Sequence, residues 1–293
     1  MVALSMFLAG CGSSPEAGEE PSVGSLEALW RAPGDDVAFI AGTSDYGPGR
    51  VRLTFLVVDD QGQVITRPTA RVWVARALEA KPFAETTARA EPIGVENKEH
   101  DADSDEIFVT HLELERPGKY WVLAEPVGGP KIQAIGNVVV AKKAAAPAVG
   151  DRAVASDTPT LESAGGDLEA LTTQSPPDRE LLRTSIADAL AAKTPFVVTC
   201  ATPAYCQTRT CGPVVDIVSE VRRRSESGGV RFIHVEIYEG NDPAKGTNRW
   251  VNEWKLPSEP WTFLVGADGR IKERFEGIFS VRELDEAVRR HLL

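Results

Sequence analysis

Four cysteines occur in the 293 residues, at 11, 200, 206 and 211, and three of them fall within twelve residues. A scaffold stapled by disulfides carries more cysteines, spread along the chain. This clustering points to local thiol chemistry instead. The thiolate is the nucleophile and the metal ligand, so Cys206 and Cys211 are candidates for redox exchange, for a structural bridge or for metal binding. Gln207-Thr208-Arg209-Thr210 separate them, and Arg209 places a cation beside them. Cys200 ends the apolar run Phe196-Val197-Val198-Thr199. It reads as a small buried hydrophobe, with an extra resolving thiol as the alternative.

The elements that must position these residues lie from 178 onward, where helix and strand patterns alternate. Asp178 caps a helix over 179–193, with Leu182, Ile186, Ala189 and Leu190 on one face. Phe196 to Cys200 is a buried-type strand. Gly212 to Arg224 is a helix facing the core with Val214, Ile217, Val218 and Val221. Strands follow over 230–238, 262–265 and 271–275, with a turn at Ala267-Asp268-Gly269. Ser280 caps a last helix, with Val281, Leu284, Val288 and Leu292 inward. The first two strands are expected to run parallel through a right-handed crossover, the last two to form a hairpin.

Two segments, Phe196 to Ile217 and Glu259 to Ile271, resemble the thioredoxin-like family. The second, with Pro260-Trp261-Thr262-Phe263-Leu264-Val265 and Asp268-Gly269-Arg270-Ile271, is similar to its membrane-anchored thiol-disulfide oxidoreductases. The resemblance covers about residues 150–293. It implies an α/β thioredoxin-like fold, with Tyr205 before an attacking Cys206, Cys211 as the resolving thiol, and a cis Pro260 that positions the substrate chain. The spacing departs from the family's Cys-x-x-Cys. A second alignment takes Cys211-Gly212-Pro213-Val214 as a degenerate motif, with Cys211 attacking and no resolving thiol. For the first alignment, a helix N-terminus lowers a thiol pKa through its unpaired N–H groups. Positions five apart in one helix point about 140° apart. The intervening residues must then loop for the Cα atoms to reach the roughly 5–6 Å of a disulfide. Some relatives with this fold bind copper through Cys-x-x-x-Cys and a distant histidine. The spacing here is wrong for that, and His234 reads as a satisfied strand residue, so neither metal nor cofactor is expected. Trp250, Trp254 and Trp261 form either core or a hydrophobic lip beside Pro260.

The N-terminus sets the compartment. Val2 to Ala9 is mostly apolar but too short to cross a membrane, and reads as the core of a secretory signal. Leu8-Ala9-Gly10-Cys11 resembles the lipobox of bacterial lipoproteins, which implies that Cys11 is lipidated and becomes the first mature residue. No basic residue precedes Val2, so residues including Lys or Arg are expected upstream of Met1. Gly12 to Pro21 reads as a flexible tether.

Residues 26–142 carry strand signals: Val51 to Phe55 with period two running into Leu56-Val57-Val58, then Val72-Trp73-Val74, Ile107 to Leu114, Tyr120 to Ala124 and Ile135 to Val140. Short strands between Gly, Pro and Asp turns suggest an all-β sandwich. Pro117-Gly118-Lys119-Tyr120-Trp121-Val122 resembles a strand of immunoglobulin-like modules. The acidic stretch 95–106 reads as a solvated loop that matches no EF-hand spacing. The expected organisation is signal and tether over 1–25, sandwich over 26–142, linker over 143–177 and α/β domain over 178–293. A net charge of −11 excludes phosphate-driven nucleic-acid binding and a polybasic membrane patch. The combined expectation is a lipid-anchored protein of the bacterial cell envelope, on its extracytoplasmic face. Its partners would be exported protein thiols or disulfides, exchanged through Cys206/Cys211. The alternative is a non-catalytic binding lipoprotein with a structural Cys206–Cys211 bridge.

Overall fold

The computed structural model describes residues 21–96, 98, 104–207, 209–225 and 228–293. A short helix α1 (Leu26–Trp30), capped by Ser25, precedes seven strands. These are β1 (Asp35–Ala41), β2 (Gly49–Val58), β3 (Thr69–Ala75), β4 (Ala84–Pro92), β5 (Glu106–Leu114), β6 (Gly118–Val127) and β7 (Ile132–Val140). They close into a barrel in the order β1-β2-β5-β4-β3-β6-β7. Alternation drives this: Leu53, Phe55 and Val57 of β2, Val72 and Val74 of β3, and Tyr120 and Val122 of β6 all point into one core. Phe39, Phe55 and Phe108 stack through it at centroid distances of 4.8 and 5.2 Å.

The immunoglobulin-like sandwich is thus corrected to a closed barrel. A sandwich leaves two sheets with free edges, whereas here β1 pairs in parallel with β7 and removes them. The closing strand has a weak signature. Asp35–Ala41 buries only parts of Val37 and Phe39, and Ile40 is 47% exposed. Strand β4 is equally quiet, with Ala88 and Glu91 its only fully buried residues.

The C-terminal part holds α2 (Ile186–Ala191), β8 (Phe196–Cys200), α3 (Cys211–Arg224), β9 (Arg231–Val235), α4 (Arg249–Glu253), β10 (Trp261–Val265), β11 (Ile271–Glu276) and α5 (Val281–His291). Its sheet order is β11-β10-β8-β9. Strands β8 and β9 run parallel, and β10 is antiparallel to β8 and β11. Here too the expectation is corrected. The chain is mostly β, a barrel plus a small four-stranded sheet with few helices, and not a sandwich joined to an α/β thioredoxin-like domain. Among the described residues only α3 and α5, of 14 and 11 residues, exceed two turns. The helix expected over 179–193 breaks into a 3₁₀ turn (Arg179–Leu182) and the six-residue α2, because the Ser185 side chain accepts from Asp188 N and starts a new helix. Ser280 caps α5 in a reciprocal capping box with Glu283.

Barrel and small sheet share one apolar cluster, in which Ile93, Ile107 and Val109 meet Ile278 and Phe279. Polar clamps flank it. Arg52 bonds Glu283 at 2.9 and 3.0 Å and the Ile278 carbonyl at 2.9 Å. Arg274 reaches the Asp45 carboxylate and three backbone carbonyls. Glu91 accepts from Ser280 and pairs with Arg282. Residues 143–177 are irregular but tied down: Arg270 donates to the Gly150 carbonyl, and Trp254 to Ser156.

Candidate dithiol site

Strand β8 is buried along its whole length and delivers the chain to a loop at one end of the small sheet. Cys206 lies in that loop, and Cys211 is the first residue of α3. The loop turns through Arg209, whose φ of 56° lies in the left-handed region. The two sulfurs are disulfide-bonded, with Cα atoms 5.8 Å apart. The five-residue offset is thus spanned by a loop, as helix geometry requires.

The two cysteines differ in surroundings. Cys211 is fully buried in the cluster of Val214, Val215 and Leu264, while Cys206 packs against it half-buried. The Cys211 N–H donates to Cys206 Sγ at 3.3 Å. This is one of the unpaired donors at the start of α3, and it favours a thiolate on Cys206 once the bridge opens.

Pro260 comes from the far side of the sequence. It is buried and follows a cis peptide bond after Glu259. The register Trp261↔Cys200 sets it beside the end of β8 from which the cysteine loop departs. One of its backbone groups is engaged, since the Pro260 carbonyl accepts from Gly277 N.

Glu259 arrives with it. A carboxylate oxygen of Glu259 and the sulfurs of Cys206 and Cys211 all lie within 4.8 Å of one another. Burial, then the charge of Glu236, push the Glu259 carboxyl up to about 7, against a lowering hydrogen bond from the Tyr238 hydroxyl. Sequence reasoning did not single Glu259 out. It stands 48 residues beyond Cys211, and no local spacing joins them.

His234 is structural: its ring nitrogens meet Thr172 Oγ1 at 3.2 Å and the Ala201 carbonyl at 3.0 Å, in a buried setting. Trp254 and Trp261 are core residues, each 1% exposed, and Trp250 packs partly buried at the edge of the same cluster. Cys11 lies outside the described residues, as do Glu99, Asp101 and Asp103 of the acidic stretch. Among the described residues no helix is long and apolar enough to cross a membrane.

Cys200 is free and 2% exposed, and burial pushes its thiol up to about 12. Thiolate reactivity requires exposure and a depressed pKa. After reduction, iodoacetamide should therefore modify Cys206 in the folded protein and reach Cys200 only after unfolding, as peptide mass mapping would show. Early labelling of Cys200 would contradict its inert role. No family model and no curated protein matches the chain.

Proposed function

We propose that the protein is an exported, lipid-anchored partner in thiol–disulfide exchange, with Cys206 as the exchanging sulfur and Cys211 as its resolver. The asymmetry of the bridge carries this reading: a partly buried sulfur in the loop before a helix, bonded to a fully buried one on the helix's first residue. A client thiolate attacks Cys206 Sγ. The Cys206–Cys211 bond breaks, and Cys211 leaves as a thiolate that takes up a proton. A second client thiolate then attacks the client sulfur of the mixed disulfide and expels Cys206. The client gains a disulfide, and this protein holds both electrons as a dithiol. In the reverse direction Cys206 attacks a client disulfide and Cys211 resolves the adduct. The lipid on Cys11 would hold the site at the envelope, where exported proteins supply thiols and disulfides.

The burial of Cys211 also favours a second reading, a non-catalytic binding lipoprotein in which the bridge only braces the loop. Insulin reduction by dithiothreitol separates the two. Catalysis is expected with the natural chain and none with Cys206→Ser, while Cys211→Ser should accumulate a mixed disulfide at Cys206. A bridge that stays intact well below about −300 mV would be a structural one, and the exchange reading would fail.

A further inference from the structure

We propose that the reduced Cys206–Cys211 pair forms, with Glu259, a zinc site that exists only in the dithiol state. In a tetrahedral zinc site, metal–sulfur bonds of about 2.3 Å and metal–oxygen bonds of about 2.0–2.2 Å set ligand atoms roughly 3.3–3.8 Å apart. Here two sulfurs and a carboxylate oxygen already lie within 4.8 Å of one another while the sulfurs are still bonded. Opening the bridge lets the sulfurs part toward ligand spacing, so the trio needs a shift on the order of 1 Å to close on a metal. The Tyr238 hydroxyl, hydrogen-bonded to Glu259, steadies the third ligand.

A second observation concerns charge. Glu236 is 5% exposed. One of its oxygens takes the N–H and hydroxyl of Thr173, and the other is buried without a hydrogen-bond partner. Its charge acts on Glu259. Neither carboxylate takes part in any ion pair among the described residues. Reduction adds two sulfurs able to ionise beside the Glu259 carboxyl. Two thiolates held side by side repel one another, and a divalent cation between them and the carboxylate relieves that repulsion.

The ligand set selects the metal. Calcium and magnesium prefer all-oxygen shells. Two thiolates and one carboxylate give a borderline-soft set of three protein ligands with an open fourth position, which suits zinc. A two-sulfur copper(I) site would be indifferent to Glu259. In the disulfide neither sulfur is a thiolate, so the bridged form has no site.

The test uses the full chain, reduced with a phosphine and freed of it, against the same chain kept oxidised. Zinc is titrated in competition with a chromophoric chelator, and bound metal is counted after gel filtration. One zinc per reduced chain and none per oxidised chain are expected. Cys211→Ser should abolish binding. The near-isosteric Glu259→Gln, which should leave the fold intact, should weaken it by about tenfold or more, the loss that even outer-shell changes cause. Reduced protein without zinc, equal zinc in both redox states, or undiminished affinity in Glu259→Gln would each overturn the proposal. It requires only that the bridge can open. Exchange activity without zinc sinks this site and spares the exchange reading, and zinc binding without turnover does the reverse.

Discussion

Trp254→Ala is expected to lower the unfolding free energy by about 3–5 kcal/mol, the range for emptying a large aromatic site in a packed core. Trp254 is 1% exposed, packs on Phe263 at a centroid distance of 4.9 Å, and donates from its indole N–H to Ser156 Oγ at 3.2 Å. Ser156 belongs to the irregular stretch 143–177, so the indole also pins that stretch to the small sheet. Truncation leaves both a void and a weakened tie. Trp254 and Trp261 bracket the segment that carries Glu259 and Pro260, and Trp261 stacks on the same Phe263 at 5.5 Å. The substitution should therefore loosen the dithiol site as well. Guanidinium unfolding followed by far-UV circular dichroism should show a lower midpoint at unchanged slope. A loss below about 1 kcal/mol would mean that the neighbours collapse into the hole, contrary to tight packing.

The second large effect is expected at the junction of the two parts. Arg274→Met should cost about 3 kcal/mol or more, because removing one partner of a buried ion pair strands the other. Arg274 bonds Asp45 Oδ2 at 3.2 Å, the Asp45 carbonyl at 2.6 Å, and the Ala146 and Pro147 carbonyls at 3.1 and 3.3 Å. The side chains of Arg274 and Asp45 are only 17% and 8% exposed. Its guanidinium also sits 5.1 Å from the Trp261 ring centroid. Methionine replaces the stem but none of the donors. Lysine keeps the charge but not the fork that reaches several acceptors at once, so Arg274→Lys should recover less than half of the loss. Thermal melts of the three proteins would decide the matter. Equal stability of Arg274→Met and the natural chain would show that the clamp is dispensable.

Features written in local sequence were legible. The Ser280 start of α5 follows from Ser and Glu three apart. The linkage of Cys206 to Cys211 was legible because only four residues separate them. The features that decided the architecture are non-local. Barrel closure depends on Asp35–Ala41 meeting Ile132–Val140 across about a hundred residues, and Asp35–Ala41 turns only Val37 and Phe39 inward, each in part. Glu259 joins the cysteines only because the register of β10 on β8 brings it there. The break before α2 turns on a single serine within an otherwise continuous helical pattern. Loose family likenesses cannot stand in for such pairings. A sandwich and a barrel use the same inward-outward alternation and differ only in whether their outermost strands meet.

The parallel seam between β1 and β7 also fixes how the molecule would bear a pull. Tension between the segment before β1 and the C-terminal part enters at the start of β1 and leaves from the end of β7. Since these strands point the same way, the opposing forces slide one along the other and load the slanted bonds of that ladder together. Traction applied across these two strands would meet a shear-loaded joint, and the barrel would resist unzipping from its own first strand.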